Sequence, residues 1–241
     1  MFKIFKFIKD FLLFFPLSVI FHPFAVLLNK GYYFNKLIFW IRKNKSQLLL
    51  NDFYKPVRDS STRPVLYKFI SDNFDLVNNE ITYVEFGVFK GTTFKWWIAN
   101  NLNQNSNFFG FDTFEGLPEN WGFYKKGDML SAIPEINDSR AIFIKGLFQD
   151  TLVNFIQENR DLFLLPRPKV IHLDADLYSS TLFALTQMYP YLNKGDFIIF
   201  DEFNVPLHEF KAYSEFVSSF NVKLKPIVAL NNFYQTAFIV E

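Results

Sequence analysis

In this 241-residue chain, glycines and acidic side chains collect where short apolar runs stop. Tyr83-Val-Glu85-Phe-Gly87-Val-Phe-Lys-Gly91-Thr92 follows one run, and Gly110-Phe-Asp112-Thr-Phe-Glu-Gly-Leu-Pro118 closes another. His172-Leu-Asp174-Ala-Asp176-Leu-Tyr178 and Phe200-Asp201-Glu202 close two more. Gly87 permits a sharp turn and a close backbone approach to a ligand, and Gly91 does the same just before a helix that opens at Thr92. The segment is neither a G-x-G-x-x-G fingerprint nor a P-loop. An acid at the strand end, Glu85, repels a pyrophosphate and suits a cation. A sulfonium-bearing amino acid is one such ligand, its ammonium oriented by Glu85 directly or through a water. Asp112 stands 25 residues after Gly87, where Rossmann-like folds place the carboxylate that accepts from ribose hydroxyls.

Asp174 and Asp176, with Asp201 and Glu202, would converge if their two strands are parallel neighbours. Like charges at one spot need a neutralising cation. The chain has no Cys and three His, so an oxygen-only site for Mg²⁺, Mn²⁺ or Ca²⁺ is the expected answer. The competing structural role is helix capping. Asp176 is the candidate for it, because Ser179, Ser180 and Thr181 mark a helix start. His172, inside a strand, reads as a core residue, whereas His208 lies past the acidic strand end, near the expected substrate mouth. A long insertion, Glu119–Arg140, carries Trp121, Phe123 and Tyr124. Such a loop beside a site suits a lid, and aromatic rings suit the faces of a sugar.

The elements that must position these residues alternate. Strands are expected over Ile81–Phe86, Phe108–Phe111, Ala141–Lys145, Lys169–Leu173 and Phe197–Phe200. Helices are expected over Thr92–Asn101, Leu147–Asn159, Ser179–Leu192 and Leu207–Phe220, with a closing strand pair at Val222–Val228 and Phe233–Val240. Short apolar strands between amphipathic helices predict an α/β fold, a mainly parallel sheet covered on both faces, with ligands beyond the carboxyl ends of the strands. The expected organisation is an extension over 1–50, a helical lead-in over 51–80 and one domain over 81–241.

The extension differs in charge from the rest. Residues 1–50 hold eight Lys or Arg and one acid, Asp10, for +7, and the remainder carries −6, although the net charge is +1. Phe11–Leu28 is an uncharged run of 18 residues interrupted by Pro16 and Pro23. As one helix it would measure roughly 27 Å, but internal prolines oppose a straight span. Basic residues on both sides favour a cytoplasmic protein whose residues 1–45 lie on the inner face of a membrane, with helical packing on protein as the rival. Basic charges that flank apolar runs give no reading as a nucleic-acid site. Half the residues are hydrophobic, which excludes global disorder, and the lack of Cys excludes disulfides and thiolate chemistry.

Taken together, these residues resemble the class I S-adenosylmethionine-dependent methyltransferases, in particular the macrocin-type sugar O-methyltransferases. The likeness rests on the segments above and on Lys145-Gly-Leu-Phe-Gln-Asp150-Thr-Leu152, and it covers roughly residues 60–241. It implies a Rossmann-like seven-stranded sheet whose last strand is antiparallel. S-adenosylmethionine would then bind at Glu85, Gly87, Gly91, Thr92 and Asp112. Asp174, Asp201 and Glu202 would hold Mg²⁺ or another divalent ion, with Asp174 doubling as the base that deprotonates a hydroxyl of a small acceptor, a carbohydrate. Asp201-Glu202 departs from the Asp-Asp usual in that family, and the basic N-terminus has no counterpart there. Two rivals stand beside this reading. One is a metal-dependent glycosyltransferase using Asp174-Ala175-Asp176 as a D-x-D motif, and the other a non-catalytic S-adenosylmethionine-binding protein.

Overall fold

A computed structural model describes residues 2–14 and 17–241, with side chains described for 3–14 and 22–241. The chain opens with α1 (Phe2–Phe14) and α2 (Leu17–Asn44), then a two-residue strand β1 (Leu50–Asn51) and α3 (Arg63–Asn73). The alternating part follows as β2 (Thr82–Phe86), α4 (Thr92–Asn100), β3 (Asn107–Asp112), β4 (Ala141–Lys145), α5 (Phe148–Glu158) and α6 (Arg160–Leu164). It finishes with β5 (Lys169–Leu173), α7 (Tyr178–Met188), β6 (Phe197–Phe200), α8 (Glu209–Phe220), β7 (Leu224–Leu230) and β8 (Gln235–Val240).

The sheet order is β1-β7-β8-β6-β5-β2-β3-β4, and only β8 runs antiparallel to its neighbours. The Rossmann-like sheet with an antiparallel last strand is therefore present, and β1 makes eight strands where seven were expected. β1 pairs parallel to β7 through Leu50↔Val228 and Asn51↔Ala229. A two-residue strand carries no periodicity of its own; its partner, far along the chain, makes it a strand. β2 and β5 are buried at every position, as central parallel strands must be when helices cover both faces. One face packs Phe86, Phe109, Phe111 and Phe200 against helices including α5, α7 and α8. The other packs Tyr83, Phe108 and Ile199 against α3 and α4.

The pairing register positions the site. Phe86 lies opposite both Phe111 and Leu173, and Leu173 lies opposite Phe200. One residue further on, Gly87, Asp112, Asp174 and Asp201 therefore stand in a row at the carboxyl edge. Backbone bonds carry the ladder past the strand ends, from Gly87 N to Phe111 O, Asp174 N to Phe86 O, and Asp201 N to Leu173 O, each at 2.9 Å.

At the other end of the chain, Pro16 lies outside the described residues, while Pro23 sits inside α2 instead of ending it. The carboxyl half of α2 docks on α8: Tyr33 and Leu37 are buried, and Trp40 donates to Tyr213 at 3.1 Å. Trp40 also meets the rings of Phe203, Phe210, Phe233 and Phe238. No helix among the described residues is long and apolar enough to cross a membrane.

Candidate functional site

A cavity of about 610 Å³ opens along this carboxyl edge, within the usual range for small-ligand sites. Gly87, Asp112, Asp174, Asp176 and Glu202 all line it. Gly87, at φ +94°, lies so close to its neighbour strand that a Cβ there would fall 1.9 Å from the Asp174 carbonyl oxygen. No other residue lets the turn and the acid strand approach this way. Asp112 fixes the turn in return: Oδ2 accepts from the amides of Val88 and Phe89, both at 2.8 Å, and Oδ1 from Phe114 at 2.7 Å. A carboxylate offers roughly four acceptor sites, so one remains for a ligand hydroxyl.

The other expected cofactor residues lie elsewhere. Glu85 does not line the cavity; it is buried in β2, where Tyr83 donates to it at 2.5 Å. Burial drives its carboxyl well above the ordinary range. Tyr83 also reaches His172 Nδ1 at 3.1 Å, and burial lowers His172 to about 3, so the imidazole is a neutral core group. Gly91 caps α4 in the left-handed region, where a Cβ would press on Pro134, and Thr92 follows it on the exposed side of α4. These two build the helix start rather than the cavity wall.

The acid half is neutralised by a residue that sequence reading did not select. Arg63 lies 3.7 Å from Asp174 Oδ2 and 2.5 Å from Asp201 Oδ2, the latter aligned as an ion pair rather than a hydrogen bond. Arg63 opens α3, where the helix dipole disfavours a cation; a base in that position signals an acidic partner. Burial raises the Asp174 and Asp201 carboxyls, and Arg63 opposes the rise. Asp176 and Glu202 are neighbours in the cluster, and burial pushes Asp176 up to about 9 and Glu202 to about 7. Asp176 therefore keeps its proton at neutral pH. Glu202 also accepts from the Tyr234 hydroxyl. Its backbone amide donates to the buried Glu209 at 2.8 Å.

Among the described residues no group of three or more His, Cys, Asp or Glu is arranged to hold a metal ion. The expected Mg²⁺ set of Asp174, Asp201 and Glu202 is thus divided: the two aspartates face Arg63, and Glu202 faces Asp176 and Tyr234. The donor set as folded does not fit a divalent ion, because a guanidinium already occupies the charge position. For the same reason Asp174 and Asp176 do not act together as a D-x-D pair. Asp176 is not a helix cap either; α7 begins after Leu177 with no side-chain cap, and Asp176 adopts φ +59°.

The Glu119–Arg140 insertion closes one wall. Gly116 and Leu117 fold against Gly127 and Asp128, with Leu117 N donating to Asp128 O at 2.8 Å. Trp121 and Tyr124 stack at 5.4 Å, nearly parallel, and both line the cavity, whereas Phe123 points wholly into solvent. Ser131 ties the loop to the Phe89 carbonyl at 2.8 Å, and buried Arg140 pins its end to Ile98, Asn101 and Asp138. His208 does not line the cavity, but its ring meets the edge of Trp121 at 6.4 Å. Tyr234, in the turn before β8, also reaches the cavity; a tyrosine among three residues of positive φ gave no sequence signal.

Comparison with known proteins agrees with this geometry. The family model for macrocin O-methyltransferase (TylF) matches residues 133–234, a stretch that holds the acid half of the site but not the glycine turn. The calicheamicin methyltransferase CalS11 is 20% identical, with 73% of this chain and 76% of that one covered at a TM-score of 0.55. The O-methyltransferase NovP is 21% identical over 74% and 77%, at 0.52. An apo structure of CalS11, described as a TDP-rhamnose 3′-O-methyltransferase, is 19% identical over 76% and 81%, at 0.53. No curated protein matches the sequence. These likenesses show that the chain shares the Rossmann-like α/β fold of CalS11 and NovP.

Proposed function

We propose that this chain is an S-adenosylmethionine-dependent O-methyltransferase acting on a hydroxyl of a small molecule, a sugar or glycoconjugate. The observation that carries this reading is one cavity in which Gly87 and Asp112 face Asp174 and the acid cluster. A nucleoside fits the first half: Asp112 has an acceptor site free for a ribose hydroxyl, and Leu117, Leu147 and Phe148 offer apolar contact. The sugar acceptor is supported by the likeness to CalS11, a TDP-rhamnose 3′-O-methyltransferase, and by the stacked Trp121–Tyr124 pair, whose faces suit a pyranose.

S-adenosylmethionine, held at the Gly87–Asp112 half, would supply an electrophilic methyl carbon, with its neutral thioether as the leaving group. This chain's residues do the rest. A sugar hydroxyl is almost wholly protonated at neutral pH, so a base must take its proton as the C–O bond forms. Asp174 is that base: it lines the cavity, and burial raises its basicity while Arg63 opposes the rise. Arg63 compensates Asp201 at the same time, so the base is not flanked by an unpaired carboxylate. The Gly87–Asp174 contact fixes the distance between the two halves, and holding reactants in line contributes up to ~7–11 kcal/mol in favourable systems. Trp121 and Tyr124 form the wall on that side.

Calorimetric titration of the full chain with S-adenosylhomocysteine, with a UDP-sugar as control, tests the class. Micromolar binding of the former with no heat from the latter is expected. Binding of the UDP-sugar alone would sink the proposal in favour of glycosyl transfer. Titration with Mn²⁺ alone tests the charge assignment, with no tight site expected; a tight site would put a metal between Asp174 and Asp201 in place of Arg63.

A further inference from the structure

The amino-terminal arm presents an apolar surface that is exposed among the described residues. In α1, Ile4, Ile8 and Leu12 follow one another at i, i+4 and i+8, forming a ridge. Lys3, Lys6 and Lys9, at i, i+3 and i+6, form a second ridge on the opposite side. Phe5 and Phe7 flank the apolar ridge, and both are about 70% exposed (69% and 71%). The first half of α2 continues the pattern, with Phe24, Leu27 and Leu28 each more than 60% exposed. Its second half is fixed to α8 by Trp40, by Tyr33 donating to Glu215 at 2.7 Å and by Lys36 donating to Ser214 at 3.0 Å. The arm is therefore a lever anchored to the catalytic body at one end and apolar at the other.

We propose that this arm lies on an anionic lipid bilayer, with the α1 apolar ridge at the headgroup–acyl boundary and its lysines in the headgroup layer. Three features select that occupant. No described helix is long and apolar enough to cross, whereas a surface helix needs only one apolar face beside a basic one. The first 50 residues carry +7 while the rest carries −6, and within α1 three lysines against the single acid Asp10 leave +2 beside the exposed apolar ridge. Lysine stems bury along apolar surface while their ammonium groups stay hydrated. A second copy of the arm fits less well, because pairing would set +7 against +7. The proposal is independent of the methyl-transfer reading, since none of these residues lines the cavity.

Flotation of the full chain with vesicles tests it. Co-flotation is expected with phosphatidylcholine containing a quarter phosphatidylglycerol, but not with phosphatidylcholine alone, and it should weaken in 0.5 M salt. Each lysine near an anionic surface is worth on the order of fivefold in affinity. The triple variant Lys3→Glu, Lys6→Glu, Lys9→Glu should therefore lose at least tenfold, while S-adenosylhomocysteine binding stays unchanged. The pair Ile4→Ser, Ile8→Ser should lose binding with the charge intact. Absence of flotation with the anionic vesicles would overturn the proposal, as would arm-dependent dimerisation in their presence without flotation. Unchanged flotation of both variants would overturn it too.

Discussion

The two halves of the cavity hold their acids in opposite ways. Asp112 is satisfied by three backbone amides of the turns beside it, so its charge is balanced by dipoles built into the local chain. Asp174 and Asp201 depend on Arg63, and Glu202 depends on Asp176 and on Tyr234, groups brought in by other elements. Turn chemistry is written locally, because an acid next to a glycine turn finds its donors within a few residues. Charge compensation is a property of the assembled fold, since Coulomb attraction depends on distance in space and not along the chain. The first half is thus a preset receptor, and the second a charge cluster whose two aspartates are balanced by one guanidinium.

This contrast can be broken at four points. Asp174→Asn should lower turnover by ~10²–10⁴, the range for losing a general base, while leaving S-adenosylhomocysteine affinity within about twofold. Normal turnover would remove Asp174 from the chemistry. Arg63→Met should cost about 3–5 kcal/mol by leaving buried Asp201 unpaired, read as a fall in Tm of at least about 6 °C. Adding Asp201→Asn should recover most of that loss. Failure of the second change to rescue the first would show that Arg63 matters for packing and not for charge.

Asp112→Ala should be milder for stability, about 1–3 kcal/mol for the three orphaned amides. It should weaken S-adenosylhomocysteine by about tenfold or more. Unaltered affinity would move the ribose contact to another residue. The smallest effect is the pH dependence of the Asp176–Glu202 pair. Both carboxyls titrate higher in the folded chain than in the unfolded one, so the folded state binds more protons between about pH 4 and 9. Their contribution is greatest at the acid end and is lost as pH rises through about 7 and about 9. Asp176→Asn removes one proton equilibrium from the pair, so its Tm should fall by a few degrees less than the parent's between pH 6 and 9. Parallel slopes would rule out a shared proton at that pair.

Much of the fold was legible because local patterns carried it. The runs around Glu85, Asp112, His172 and Ile199 are short, apolar and separated by helical periodicity, and their strands lie where that pattern put them. β1 was not legible, since Leu50 and Asn51 become a strand only by meeting Val228 and Ala229. Within the site, Gly87, Asp112, Asp174 and Glu202 reach the cavity, because a strand-end residue in a parallel sheet has one edge on which to emerge. Glu85 lies inside β2 and not at its edge: it stays within the sheet, bonded to Tyr83, while Gly87, just past the strand, turns into the cavity.

The sequence by itself determined which residues stand at the carboxyl edge, for strand length and turn residues are local properties. It also determined that the first 50 residues carry the opposite charge to the rest, which is arithmetic on composition. Only the tertiary structure decided what neutralises the acids, which carboxyl keeps its proton and which aromatics wall the cavity. Arg63, Tyr234 and the Trp121–Tyr124 pair reach the site from a helix start, a hairpin turn and a long loop. Their partners are fixed by the packing of the whole domain, and no spacing along the chain encodes such a meeting.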